Sequence, residues 1–224
     1  MKLTVSKDQK DIKDSGGNAF INRSGIYDVV INYVQVAETK NKAKQLNFNV
    51  NCGGMDQTIY GPVLVNTDGK INDITCNMLN RLCIIAGMAD GQEIETEAAE
   101  VPVGKEQKLM EMEIIPDLCD VSVKMRVQME YSLWNNQIQE RKAIKAFYRE
   151  DGATAAEAES GENIGKRLAL DEEKYASNVT YKDGLTEEDV KEWLQARISG
   201  ANAAPAKAAP SAKAGAKRPL FNKS

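Results

Sequence analysis

One stretch restricts the fold more than any other: VSVKMRVQMEY, residues 121–131. In an extended chain Val121, Val123, Met125, Val127, Met129 and Tyr131 point one way, and Ser122, Lys124, Arg126, Gln128 and Glu130 point the other. A side-chain period of two held this long has no counterpart on a helix. It marks a strand with one face in a core and one in water. SLWNNQ follows as a turn, and IQERKAIKAFY (138–148) returns as the second arm of a hairpin. An isolated hairpin is at best marginally stable in water, so further strands must complete the sheet.

They lie upstream. GIYDVVINYVQV, from Gly25, is rich in Val, Ile and Tyr with apolar residues on both parities, as a long strand partly buried on both faces requires. QLNFNVNC alternates: Leu46, Phe48, Val50 and Cys52 inward, Asn47, Asn49 and Asn51 outward. QTIYGPVLV is a third strand, in which Gly61-Pro62 implies a bend or an edge. The period then changes. In INDITCNMLNRLCIIAG, Ile71, Ile74, Met78, Leu82 and Ile85 recur every three or four residues, an amphipathic helix with Gly87 at the left-handed cap position. Residues 88–116 read as a long acidic loop. After Glu150 the strand signal stops. DGATAAEAESGENIG reads as weakly structured, and a helix is expected over 186–199, with Thr186 as N-cap and Asp189 at the capping-box position.

Three strands, a helix and a two-strand hairpin form the element order of an OB-fold barrel. The expected fold is therefore mainly β: a five-stranded OB-fold-like barrel with one helix between strands 3 and 4, followed by a C-terminal helix and a disordered tail. The expected organisation is a flexible leader over 1–19, the OB-fold domain over 20–150, an acidic segment over 151–200, and a disordered basic tail over 201–224. The net charge of −4 hides this asymmetry. Residues 151–199 carry 6 Lys/Arg against 12 Asp/Glu, and residues 200–224 carry five against none.

OB-fold barrels bind single strands on the strand 2–3 face and the loops joining strands 1–2 and 4–5. Here the first loop holds Lys40, Lys42 and Lys44, and the second holds Trp134. Tyr60 lies on strand 3, Lys124 and Arg126 on strand 4, and Arg141, Lys145 and Phe147 on one parity of strand 5. Cations track phosphates and aromatic faces stack on unpaired bases, so these residues are the expected nucleic-acid contacts.

Other chemistries find little support. The chain has no His, which removes the Ser-His-Asp and Cys-His mechanisms and the commonest zinc ligand. Its four Cys show no C-x-x-C spacing and read as small buried thiols. GENIGK is one residue short of a P-loop and follows no strand. LVNTDGKINDIT has Leu64 and Thr75 where a calcium loop needs acids. No catalytic residue, metal site or cofactor is expected. No apolar run approaches the ~20 residues of a membrane helix, and the N-terminus lacks the apolar core of a secretory signal, so the expected location is the cytoplasm, with no membrane partner.

GGNAFINRSGIYDVVINYVQVAETKNKAKQLNFNV resembles the opening of a family of bacteriophage single-stranded DNA-binding proteins. INDITCNMLNRLCIIAGM is similar to that family's helix, IKAFY to its final strand, and KRPLFNK to its basic Leu-Phe tail. The resemblance spans about residues 15–150 and the extreme C-terminus. It implies an OB-fold that coats single-stranded DNA during phage replication or recombination, in the host cytoplasm. Many single-strand binders end in an acidic tail; this one is positive. Lys217, Arg218, Leu220 and Phe221 would then recruit a replication, recombination or transcription protein through an acidic partner surface with an apolar pocket. Three readings are carried forward: sequence-tolerant, non-catalytic binding of single strands; an assembly module using the barrel as a docking surface; and a metal-dependent nuclease. A homo-oligomer stays open.

Overall fold

The computed structural model describes residues 20–104 and 106–199. The expected leader and the expected basic tail, including Lys217, Arg218, Leu220 and Phe221, lie outside the described residues. The described chain forms two compact units, 20–129 with 141–179 and 130–140 with 180–199.

The fold is mainly β, an open antiparallel sheet of eight strands. In chain order these are β1 (Gly25–Glu38), β2 (Lys44–Cys52), β3 (Met55–Val65), β4 (Glu97–Val103), β5 (Lys108–Ile114), β6 (Val121–Trp134), β7 (Gln137–Tyr148) and β8 (Val179–Tyr181). The helices are α1 (Asp73–Ile85), α2 (Ala155–Ser160), α3 (Lys166–Lys174) and α4 (Glu187–Ile198). β1 is long enough to serve several partners. It pairs with β2 from Val30 to Glu38, with β6 from Gly25 to Ile31, and with β5 at Gln35. The ladder thus runs β3-β2-β1-β6-β7.

The alternation read from the sequence fills the core. Leu46, Phe48, Val50 and Cys52 of β2 and Val123, Met125, Val127 of β6 are buried together with Val29, Ile31 and Val34 of β1. Opposite Leu46 the register slips. Asn47 faces Tyr60 while Gln45 faces Val63, so Gly61 and Pro62 share one partner position, a bulge. Glycine is required there, because a Cβ on Gly61 would lie 2.6 Å from the Leu46 carbonyl oxygen and 2.8 Å from the Phe48 ring.

Three expectations are corrected. The loop expected over 88–116 holds the β4–β5 hairpin. Its Val101 and Ile114 form a second small core with Tyr33 of β1, packed by Ala99, Val103 and Met112. The residues DGATAAEAESGENIG, expected to be weakly structured, contain α2, whose Thr154 and Glu157 make a reciprocal capping box. The apolar face of α1 matches the expected one at Leu82, Ile85 and the half-buried Met78 and departs from it elsewhere. Thr75, Leu79, Leu82, Cys83 and Ile85 are buried, whereas Ile74 is 83% exposed and Ile71 precedes the helix. Asn72 sets the helix start by accepting from the Ile74 and Thr75 amides. The end follows the expectation: Gly87 takes φ 88°, its amide donates to Ile84 and that of Met88 to Cys83, a Schellman closure.

The second unit is built on β6–β7 residues 130–140 and α4. Tyr131 stacks on Tyr181 at 6.0 Å and meets Trp193 edge-on at 6.2 Å, while the Arg197 guanidinium lies 4.6 Å over the Trp193 ring. Burial first, then Glu140, pushes the Tyr131 phenol up to about 12. α4 carries the expected capping box of Thr186 with Asp189.

Candidate nucleic-acid interface

The expected contact residues separate into four places. The first is the outward face of β2 and β3. Tyr60 is 65% exposed there, opposite Asn47. Its neighbour Gly61 turns its carbonyl toward β7, where it accepts from the Arg141 guanidinium at 3.4 Å and from Gln45 Nε2 at 2.8 Å. The bulge thus places an exposed ring next in the chain to the carbonyl that the Arg141 guanidinium reaches. The Asn row flanks this ring but is largely committed. Asn47 donates to Gln35, Asn32 donates to Asn49 and Asp56, and Asn51 donates to Asp56. Base-edge readout by these amides would cost the existing hydrogen bonds, so the row serves as a polar floor.

The second place is the tight β1–β2 turn, closed by Thr39 and Ala43. Lys40 and Lys42 are exposed and form no ion pair among the described residues. Lys44 begins β2 and pairs with Glu113 at 3.4 Å. It stands three residues before Asn47, about 10 Å along a strand.

The third place is β6 and the end of β7, on the far side of β1 from β2. Lys124 is bound to Asp28 at 2.5 Å. Arg126 turns to Asp171 of α3 at 3.7 Å and lies 5.6 Å over the Tyr175 ring. Lys145 is exposed. Phe147 is 5% exposed and packs on Phe48 at 5.6 Å, so the structure corrects its assignment as a stacking residue. Magnitudes explain why it stays inside. Burial stabilises a Phe by about 1.5–3 kcal/mol, and one base stack returns only ~1–3 kcal/mol, so extracting the ring gains nothing.

The fourth place belongs to the second unit. Trp134 is 70% exposed where β6 enters a two-residue turn. Asn135 and Asn136 there take φ 50° and 58°, the left-handed pair a tight hairpin needs.

Sequence reasoning missed one constellation. Asp171, 1% exposed, accepts from the buried Tyr148 hydroxyl in a short hydrogen bond and lies 3.0 Å from Arg167. Burial first, then the hydrogen bond to Asp171 and its charge, holds the Tyr148 phenol well above its ordinary range, so it remains a protonated donor. The sequence offers only the Arg167–Asp171 pair at i,i+4, a spacing that any solvated helix face can show and that does not announce the burial of Asp171. Among the described residues no group of three or more acids and cysteines is arranged to hold a metal ion, and no helix is long and apolar enough to cross a membrane.

No family model matches the chain, and a search of curated proteins finds no match either.

Proposed function

We propose that this chain is a non-catalytic protein that binds and coats single-stranded DNA with little regard for sequence, in the manner of the phage family its sequence resembles. The observation that carries the reading is Tyr60: a large ring left exposed on the outward face of β2–β3, with Arg141 held beside it through the Gly61 carbonyl. A buried core would have consumed that ring, whereas an unpaired base offers it a partner and the guanidinium offers the adjacent phosphate one. Lys40 and Lys42 add positive charge in the turn that leads into β2, the strand paired with that of Tyr60. The order β3-β2-β1-β6-β7, with α1 after β3, supports a partly open OB-fold barrel, and the Arg141–Gly61 hydrogen bond bridges its two outer strands. Within the proposal, the tail residues Lys217, Arg218, Leu220 and Phe221 recruit a partner enzyme.

Fluorescence titration with oligo-dT at several salt concentrations tests it. Tyr60→Ala should lose ~1–3 kcal/mol of binding free energy, and Arg141→Ala should lower the salt slope by about one. Trp134→Ala, assayed by competition, measures whether the hairpin tip adds a second platform. Unchanged affinity in both Tyr60→Ala and Arg141→Ala, or equal affinity for duplex DNA, refutes the reading.

A further inference from the structure

A cavity of about 450 Å³ lies within the first unit, on the side of the sheet where α1, α2 and α3 gather at the end of β7. Its lining is unlike the polar floor around Tyr60. Arg81, Arg126, Lys145 and Arg167 contribute four positive charges, and Asp171 contributes the only negative one. Arg81 forms no ion pair among the described residues. Apolar surface from Met78 and Phe147 completes the wall.

Two buried atoms in this wall lack hydrogen-bond partners. Arg126 Nε, a donor, makes none, although it lies 3.7 Å from Asp171. Asp171 Oδ1, an acceptor on a side chain only 2% exposed, makes none either, although the Arg167 guanidinium is 3.0 Å away. Both atoms are ion-paired, Asp171 Oδ1 with Arg167 and Arg126 Nε with Asp171, yet neither has a well-directed hydrogen bond, and native structures rarely leave buried polar atoms in that state. One ligand satisfies both when it carries an anionic acceptor for the arginines and a neutral N–H or O–H donor for the carboxylate. The three arginines facing a single carboxylate ask for phosphate, which arginine forks bind well. The volume and the apolar wall ask for a base-sized body attached to it.

We propose that this cavity binds a nucleoside monophosphate, either free or as the 5′-phosphorylated terminal nucleotide of a strand. The phosphate sits among Arg81, Arg126, Lys145 and Arg167, and a base or sugar donor reaches Asp171 Oδ1. The site does not depend on the Tyr60 face, which binds strands along their length in the reading above.

Calorimetric titration of the full-length protein tests this with two matched pairs: dTMP against thymidine, and 5′-phosphorylated oligo-dT against the 5′-hydroxyl oligomer. Each comparison is a ratio, so it is unaffected by whether Tyr60→Ala changes strand binding. A preference of roughly tenfold or more for the phosphorylated member is expected, and Arg81→Glu should abolish it with the unfolding midpoint unchanged. A preference seen with dTMP identifies the free nucleotide as ligand; one confined to the oligomers identifies a strand end. No preference in either pair overturns the proposal. So does a preference that survives in both Arg81→Glu and Lys145→Glu.

Discussion

At the residue scale, local charge geometry governs which side chains remain available. Lys44, Lys124 and Arg126 read from the sequence as free cations, yet each faces a carboxylate: Glu113, Asp28 and Asp171. Asp28 is 96 residues from Lys124, Glu113 is 69 from Lys44 and Asp171 is 45 from Arg126, so no local pattern announces the pairing. The pair Arg149–Asp151 is local and shows the same physics in a measurable form. Arg149 grips Asp151 with two nitrogens, and the Ala153 amide donates to the same carboxylate. These bonds pull the Asp151 carboxyl from 3.8 to about 2. A depressed acid stabilises the fold above its unfolded value and loses that contribution as pH falls through the folded one. Carbon-detected NMR titration should therefore show Asp151 still ionised at pH 3 and protonating near pH 2. Arg149→Ala should return it toward the ordinary carboxylate range; an unshifted midpoint in the variant contradicts the assignment.

At the element scale, period-two strands were legible and docking faces were not. Val123–Tyr131 and Leu46–Cys52 bury the residues their alternation selects, because one strand register leaves only one apolar face, although Asn47 and Glu130 of the outward parity are buried as well. The helix α1 offers two overlapping stripes, one through Ile74 and Met78 and one through Leu79 and Cys83, so the choice falls to whatever it packs against. The β4–β5 hairpin was missed because acidic residues interrupt its runs, although Ala99, Val101 and Val103 do alternate. The bulge in β3 is an element-level constraint with a sharp consequence. Gly61→Ala must move either the Leu46 carbonyl or the Phe48 ring, so urea unfolding should show a loss of about 1–3 kcal/mol. A variant as stable as the native chain would show that β3 can shift without cost.

At the scale of the whole molecule, the fold separates residues that the sequence reading had placed in one site. Tyr60 and Arg141 share one lip of the sheet; Arg126, Lys145 and the buried Phe147 line a cavity under the helices. The basic tail belongs to this scale as well. Deleting residues 216–224 should leave single-strand affinity and its salt slope nearly unchanged while removing capture of an acidic partner. A sharp fall in affinity with a flatter slope would make the tail a phosphate-contacting arm instead. The sequence by itself determined β1–β3, the β6–β7 hairpin, the caps of α1 and α4 and the charge asymmetry, because these depend on period, capping chemistry and composition within a few residues. Only the tertiary structure decided which cations stay unpaired, which aromatic rings remain in water, and that Asp171 closes a positive cavity, because each depends on groups that distant parts of the chain bring within a few ångströms.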